Sequence, residues 1–186
     1  PRAGNRPGSR RVPLSVIRTA HPADLDAIAA LHTRARATYY RRHIPEQAYA
    51  GEARAGEAEA ARTREGWTLA VARDAAEGRV LCAEEDGRLT GVAAFRTRDG
   101  ETTLTQLHVD PVHWRRGTGA ALHAACLEAW RRAGVRRVRL EVYEHNLRAQ
   151  AFYAAQGWLP DPSATPSGSH RTLWLEVTPP PAVSGE

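Results

Sequence analysis

The sequence predicts a mixed α/β domain, in which a mostly antiparallel sheet of about six to seven strands is flanked by about four helices. Short runs that alternate apolar and polar residues are separated by Asp-Gly pairs, which is typical of antiparallel hairpins. Longer Ala- and Leu-rich stretches have apolar residues at helical spacing. The 186 residues contain 42% hydrophobic and 25% charged residues, which is a globular composition and the length of one domain.

The first third of the chain is predicted to form a strand followed by helices. Leu14–Arg18 alternates apolar and polar residues, as a half-buried strand does. Pro22 suits a first helical turn, and the apolar spacing after it predicts a helix over about 22–40. The Ala- and Glu-rich stretch over about 46–76 is interrupted by three glycines, which predicts two short helices.

The middle of the chain predicts three consecutive strands. They cover Arg79–Glu84, Leu89–Arg98 and Glu101–Val109. Asp-Gly pairs separate them and predict tight hairpins, and Pro111 ends the last strand.

The last third alternates helices and strands. A helix is predicted over Gly117–Arg132 and a strand over Arg136–Tyr143. Asn146 is expected to cap a helix that runs to Gln156. Two final strands are predicted at Trp158–Leu159 and Thr172–Val177.

The boundaries of the domain follow from composition. Residues 1–13 and 179–186 are rich in Pro, Gly, Ser or Arg and are expected to be disordered tails around a domain over 14–178. The net charge is +5. The first 18 residues hold five arginines and no acid, so the other 21 basic residues balance the 21 acidic ones. A neutral body argues against nucleic-acid binding by the domain, and the basic tail is the place where such binding would occur.

The sequence also predicts what is absent. Two cysteines, Cys82 and Cys126, form neither a disulfide framework nor a metal-ligand cluster. No apolar run reaches the roughly 20 residues that span a bilayer. We therefore expect a cytoplasmic protein without a metal or a membrane partner.

The segment most informative about function follows the third middle strand. After Val109 comes a short loop, and then Arg116-Gly117-Thr118-Gly119-Ala120-Ala121 opens a helix. Backbone N–H groups at a helix start lack intrahelical partners, and glycines let a ligand approach closely. Such a start can hold a pyrophosphate. The segment lacks the Gly-Lys-Ser/Thr end of a P-loop and the third glycine of a dinucleotide fingerprint.

These residues resemble the GNAT family of acetyl-CoA-dependent N-acetyltransferases. Arg116-x-x-Gly119-x-Ala121 is similar to the Gln/Arg-x-x-Gly-x-Gly/Ala motif of the family. The stretch from Asn146 through Phe152-Tyr153 to Gly157-Trp158 is similar to its second motif. The resemblance covers about residues 14–178 and implies direct transfer of an acetyl group from acetyl-CoA to an amine, without a covalent enzyme intermediate.

The resemblance implies roles for individual positions. Backbone N–H groups of Gly117, Thr118, Gly119, Ala120 and Ala121 would hold the CoA pyrophosphate, with charge added by Arg115 and Arg116. The backbone of Leu107, His108 and Val109 would pair with the pantetheine arm, and Asn146 would hydrogen-bond that arm from the far side. Tyr153 would act as general acid, whereas Phe152 is expected in the core.

Tyr153 has suitable chemistry for that role. A phenol with a pKa of about 10 stays protonated at neutral pH. A departing thiolate, by analogy with cysteine, has a pKa of about 8.5 and benefits from a hydrogen-bond donor. The alternative is a tyrosine packed at the boundary between helix and sheet.

The general base is the weakest part of the match. Many family members have a Glu on the strand before the first motif, where this chain has Thr103. Glu101, on the same strand face, and His108, expected with Gln106 on the opposite face, are the substitutes that we name first. Other carboxylates lie near neighbouring strand ends, and a base-free route in which water carries the proton stays open. These carboxylates are Glu84, Glu85, Glu141 and Glu144.

The acceptor is an amine of unknown identity. Tyr39, Tyr40 and Tyr143 are candidates to contact it. A non-catalytic acyl-CoA sensor of the same fold is the alternative function. The family resemblance also implies a homodimer as one state of the protein.

Overall fold

A computed structural model describes residues 15–40, 52–164 and 169–179. The side chains of residues 39–40 and 52–58 are not part of this description. The predicted tails, apart from residue 179, lie outside it, as do the side chains of Tyr39 and Tyr40.

The described chain forms seven strands and four α-helices, as the sequence predicted. The strands are β1 Val16–Thr19, β2 Gly78–Glu85, β3 Arg88–Arg98, β4 Glu101–Val109, β5 Arg137–Tyr143, β6 Leu159–Pro160 and β7 His170–Glu176. The helices are α1 Leu25–Tyr40, α2 Glu52–Val71, α3 Thr118–Arg132 and α4 Leu147–Ala155, with short 3-10 turns at Pro22–Asp24 and Pro111–His113.

One predicted element is wrong. The stretch expected to form two short helices is a single helix of 20 residues over its described part, α2. Gly56 and Gly66 lie inside it. Each glycine costs the helix about 1 kcal/mol relative to alanine. Tertiary packing offsets this cost, because α2 buries Trp67 and packs Ala70 and Val71 against the sheet.

The strands form one mixed sheet in the order β1-β2-β3-β4-β5-β7-β6. The hairpins before and after β3 turn at Asp86-Gly87 and Asp99-Gly100, and all four residues have positive φ. That is the geometry of a type I′ turn, which Asp-Gly pairs favour. Among the described strands only β4 and β5 run parallel to each other, since a helix connects them.

Each face of the sheet carries its own core. Helices α1 and α2 pack on one face, which we call the α1/α2 face, around Ile28, Leu31 and Trp67. Helices α3 and α4 lie on the other, the α3/α4 face, around Leu122, Trp130 and Trp158. The separation between the two cores is clear in β3, where Val92 and Ala94 belong to the first and Ala93 and Phe95 to the second.

A β-bulge interrupts β4 at Thr105. Phe95 pairs with Leu104 while Ala94 pairs with Gln106, so Thr105 has no opposite residue on β3, and only its hydroxyl bonds to that strand, at the Ala94 carbonyl. The bulge reverses the alternation of faces, and both Leu104 and Leu107 therefore contact the α3/α4 core. Thr103 pairs with Arg96 and His108 with Val92, which places Thr103, Gln106 and His108 on the same α1/α2 face. The predicted opposition between these residues is wrong for this reason.

The parallel strands β4 and β5 separate soon after they begin. They pair only at Thr102–Val138 and Thr103–Arg139. Beyond this point β4 continues to Val109 along β3, and β5 continues to Tyr143 along β7. The sheet therefore contains a wedge-shaped gap between Leu104–Val109 and Leu140–Tyr143, which we call the splay.

Candidate functional site

The N-terminus of α3 stands at the open end of the splay. Its cap residue Gly117 has φ 87° and no side chain caps the helix. The N–H groups of Thr118, Gly119 and Ala120 precede the first intrahelical bond, which Ala121 donates to the Gly117 carbonyl at 2.9 Å. Three helix donors and the helix dipole are thus available to an anion. The N–H of Ala121 is not available, which corrects the set of donors expected from the sequence.

The backbone before α3 is shaped for this role. Arg115 has φ 61°, a left-handed conformation that costs a non-glycine residue about 1 kcal/mol or more and is often found at binding sites. The side chains of Arg115 and Arg116 are exposed beside the helix start. Both guanidinium groups therefore remain in reach of a solvent-borne phosphate.

Gly119 permits a close approach between α3 and its neighbours. A Cβ at this position would lie 3.4 Å from the Phe152 ring and 3.6 Å from Val109. Phe152 is partly buried against the α3/α4 core, as expected for a core residue. The missing side chain thus brings the start of α3 against both α4 and the end of β4.

Trp114 links the loop to both sides of the splay. Its indole Nε1 donates to the Val109 carbonyl at 2.9 Å. The guanidinium of Arg148, on α4, lies 3.3 Å from the centre of its ring. The Val109 carbonyl thus has a partner within the protein. The backbone of Leu107 and the N–H of Val109 are the groups left for pairing with a ligand along this edge.

Asp110 connects the loop to the opposite face of the sheet. It is buried, and its carboxylate accepts a hydrogen bond from the Val112 N–H at the start of the 3-10 turn. The guanidinium of Arg34 on α1 donates to the same carboxylate at 2.7 and 3.1 Å. The α1/α2 side of the molecule therefore helps to fix where the α3 loop begins.

Tyr153 is buried on α4. Its ring packs against Phe152 and Trp158, with centroids 5.3 and 5.7 Å apart. Burial, and secondarily the nearby Cys126 thiol, raise the pKa of Tyr153 above that of an ordinary tyrosine. Its hydroxyl makes no hydrogen bond within the described residues. The phenol therefore stays protonated and can serve as a donor.

The two first-named base candidates each have a partner within the protein. Glu101 begins β4 below the splay, and its carboxylate accepts from Arg139 at 2.9 Å. His108 stacks on His32 at 4.3 Å, and its Nε2 lies 2.6 Å from the Gln106 side-chain oxygen. Burial first, then the neighbouring His32 and Arg36, lower the pKa of His108 to about 3. A ring with so low a pKa holds a proton poorly at neutral pH.

A carboxylate stands on the other side of the splay. Glu141 is exposed on β5, two residues beyond the last pair that joins β4 and β5. Along β5, Val138, Leu140 and Val142 belong to the α3/α4 core, so Glu141 points to the α1/α2 face. It lies at the level of the bulge in β4. Tyr143 follows on the same face and packs against His145 and His170 at the end of the strand.

Asn146 caps α4, as predicted. Its side-chain oxygen accepts from the Ala149 N–H at 3.1 Å. The amide NH₂ group is thus the part of Asn146 that remains for a ligand. Tyr39 and Tyr40 end α1, and their side chains lie outside the described part of the chain. Their contact with an acceptor therefore stays a prediction.

Sequence patterns did not reveal several contacts around the site. The pairs Arg34–Asp110 and Trp114–Arg148 join residues from different elements. A cavity of about 410 Å³ lies between α2 and the strands β3 and β4. The cavity depends on how α2 packs over the sheet, for which the sequence carries no local signal.

The described residues 15–40, 52–164 and 169–179 contain no group of three or more His, Cys, Asp or Glu side chains that could hold a metal ion. Over the same ranges, none of the helices has the length and apolar character that crossing a bilayer requires.

Comparison with known proteins identifies the family of the chain. Residues 30–158 match the model of the Acetyltransferase (GNAT) family. Uncharacterized N-acetyltransferases of Mycobacterium bovis and Mycobacterium tuberculosis are 38% identical over 80 residues, 42% of this chain and 51% of theirs. The chain thus matches about half the length of these curated relatives.

Two solved structures share the fold. The PaiA N-acetyltransferase of Thermoplasma acidophilum, in complex with coenzyme A, superposes with a TM-score of 0.74 at 18% identity, over 87% of this chain and 98% of that one. The ribosomal-protein-S18-alanine N-acetyltransferase of Escherichia coli superposes with a TM-score of 0.65 at 19% identity, over 89% and 95%.

Proposed function

The chain belongs to the GNAT acetyltransferase family, and on that premise we propose that it transfers the acetyl group of acetyl-CoA directly to an amine. The observation that carries the proposal is the splay between β4 and β5 with the uncapped start of α3 at its mouth. The pantetheine arm of CoA can pair with the edge of β4 in the splay. The pyrophosphate at its end can then bind at the start of α3.

Acetyl-CoA fits the residues that are present. The free N–H groups of Thr118, Gly119 and Ala120 would hold the pyrophosphate, with Arg115 and Arg116 beside it. A Cβ at Gly117 would meet no atom within 4 Å, so space is open at the helix start. The backbone of Leu107 and the N–H of Val109 would pair with the pantetheine arm, and the Asn146 amide would face it from α4. Bound acetyl-CoA supplies the activated acetyl group.

Protein side chains then take the proton of the acceptor amine and stabilise the leaving thiolate. An amine with a pKa of about 10.4 is mostly protonated at neutral pH and must lose a proton before it attacks. We propose Glu141 as the group that accepts this proton, directly or through one water, because it flanks the splay on the face opposite α3. Tyr153 donates a hydrogen bond to the leaving thiolate, and its raised pKa keeps that proton in place. We propose Glu141 in preference to Glu101 and His108; its carboxylate lies 3.9 Å from the Arg139 guanidinium, against 2.9 Å for Glu101.

Ligand-induced stabilisation tests the first step of the proposal. Thermal unfolding is measured with acetyl-CoA, with CoA and with ATP as a control. Ligand at about 100 times its Kd stabilises by about 2.7 kcal/mol. That stabilisation raises the melting temperature of a domain of this size by about 5–10 °C. A rise with ATP alone, or with neither CoA species, contradicts the proposal.

Catalysis is tested by release of free CoA thiol with a panel of amines. Tyr153→Phe keeps the ring packing and removes the hydroxyl. We expect kcat to fall by about 10²-fold, the usual effect of removing one hydrogen-bond donor to a developing negative charge, with acetyl-CoA affinity unchanged. A wild-type protein that binds acetyl-CoA and acetylates no amine would instead support the sensor.

A further inference from the structure

The cavity between α2 and the sheet, here named the α2 cavity, has a size suited to a small molecule. Its volume is about 410 Å³, within the usual range of ligand sites. Trp67, Ala70 and Ala94 give it an apolar wall, and Thr105 and Gln106 of the β4 bulge form its side toward the splay. The α2 cavity therefore lies next to the proposed reaction site and on the face where Glu141 stands.

Two arginines in the α2 cavity lack a carboxylate partner. Arg73 and Arg96 line it, and neither makes an ion pair or a side-chain hydrogen bond with a described residue. They are neighbours: a Cβ at Gly78 would lie 3.0 Å from both the Arg73 Cδ and the Arg96 Cα. The carboxylate nearest in sequence, Asp74, accepts from the Ala76 N–H instead. Two arginines thus line one part of the cavity wall, and neither has an ion-pair partner among the described residues.

The one carboxylate that lines the described cavity wall is already engaged. Glu59 accepts from Arg36 at 2.8 Å and from Arg62 at 3.0 Å. These three side chains together carry a net positive charge. His32 lies on the same wall, and burial first and then Arg36 lower its pKa to about 4, so its ring is neutral at neutral pH.

The neutral polar groups of the α2 cavity add donors. The Nδ1 of His32 accepts from the Trp67 indole at 2.9 Å, so the neutral ring carries its proton on Nε2. The side-chain oxygen of Gln106 is used by His108, which leaves the Gln106 NH₂ group without a partner among the described residues. A ligand that fills this space must therefore offer hydrogen-bond acceptors.

We propose that the α2 cavity binds a carboxylate of the acceptor, so that the acceptor is an amine with an apolar body and an anionic end. This inference rests on the proposed function for the amine end alone. The rows Arg96–Thr103 and Ala94–Gln106 are successive levels of the sheet. With a rise of about 3.3 Å per strand residue, the Arg96 and Ala94 positions of the cavity wall are about 7 Å apart along β3. The carboxylate and the amine therefore occupy opposite ends of a short molecule.

Equilibrium binding tests the anion site without any turnover. The probes are para-toluate and its uncharged analogue para-toluamide, measured by calorimetry at low salt. We expect wild-type protein to prefer the carboxylate by about ten-fold, the effect of a charge-assisted hydrogen bond. R73Q/R96Q should lose this preference and the single variants part of it. R98Q, which removes an exposed arginine of the same strand, should keep it.

Melting temperatures show whether each variant is folded. If R73Q/R96Q does not fold, the binding test uses the two single variants instead. Equal affinity of wild type for the two probes overturns the inference. So does a preference that survives in every folded variant of Arg73 and Arg96.

Turnover separates this inference from the proposed function. Acetylation of para-(aminomethyl)benzoate and of its amide is followed by thiol release. We expect kcat/KM to favour the carboxylate by about ten-fold in wild type, mainly through KM, and not in R73Q/R96Q. Equal turnover of both amines overturns the acceptor class and leaves the acetyltransferase function standing. A carboxylate preference in binding with no acetylation of any amine supports the anion site and contradicts the proposed function.

Discussion

Each face of the sheet contains a tryptophan whose indole donates to a histidine at 2.9 Å, and the two pairs differ in what surrounds them. Trp158 and His123 are sealed between α3, α4 and the sheet, 2% exposed each. Trp67 and His32 form the wall of the α2 cavity, and His32 also stacks on His108. The same hydrogen bond thus completes a closed core on one face and orders the wall of an open cavity on the other.

The largest effect expected from this difference concerns stability. Trp158→Ala should lower the free energy of unfolding by about 3–5 kcal/mol, because it empties a closed core and leaves the His123 acceptor unpaired. Trp67→Ala should cost less, since water from the existing cavity can occupy part of the space. Urea unfolding of both variants measures the order, and a greater loss for Trp67→Ala contradicts the comparison.

A second effect concerns the carboxylates on the α1/α2 face. Glu141→Gln should lower kcat by about 10²-fold, because an amide cannot accept the proton, and should leave the melting temperature unchanged. The matched control is Glu101→Gln, which removes a carboxylate outside the splay and should stay near wild type. Steady-state kinetics across pH provide the measurement. A loss of rate in Glu101→Gln alone would return the role of base to β4.

A third effect is the pH dependence of stability. Burial lowers the pKa of His32 and His123 to about 4 and that of His108 to about 3, against 6.5 for free histidine. Below pH 6.5 the unfolded chain binds more protons, so stability is complete above that value and falls as pH decreases toward about 4. One histidine contributes at most about 1.4 kcal/mol per pH unit.

Free energies of unfolding measured from about pH 7 to about pH 4.5 check this expectation. His123→Gln should make the profile less steep by the share of one histidine. A profile that stays flat over this range would show that the buried rings are not held neutral by the fold.

The smallest effect concerns the contact that joins the two faces. Arg34→Gln should lower stability by about 0.5–1 kcal/mol and weaken acetyl-CoA binding a few-fold, since Asp110 would lose the guanidinium that orients it. Arg132→Gln breaks an exposed pair with Glu128 on α3 and is the matched control. Calorimetric titration with CoA compares the two variants. Equal affinities would show that the Arg34–Asp110 contact does not support CoA binding at the α3 loop.

The α3/α4 face was the more predictable half from sequence. Its two motifs are local: a strand end, glycines and a helix start within one stretch, and an Asn cap with aromatic residues in another. Local geometry follows from local chemistry, and β4, α3 and α4 lie within one residue of their predicted ends.

The α1/α2 face was less predictable because its features depend on long-range packing. Strict alternation along β4 placed His108 opposite Glu101, and a single unpaired residue, Thr105, reversed that arrangement. The continuity of α2 depends on the burial of Trp67 rather than on helix propensity. The cavity residues Arg73 and Arg96 come from a helix-following turn and a strand, with no shared pattern between them.

Only two residue pairs join β4 to β5 among the described strands, so the sheet is held together less firmly there than between its other long strands. Strands β1 to β4 form one continuous ladder and β5, β7 and β6 another. The chain should therefore open as two cooperative units, with amide exchange at the facing edges faster than inside either ladder. An arm bound between them would act as the missing strand, and we expect it to slow exchange on Leu107 and Glu141 together, because the Leu140 N–H already faces β7.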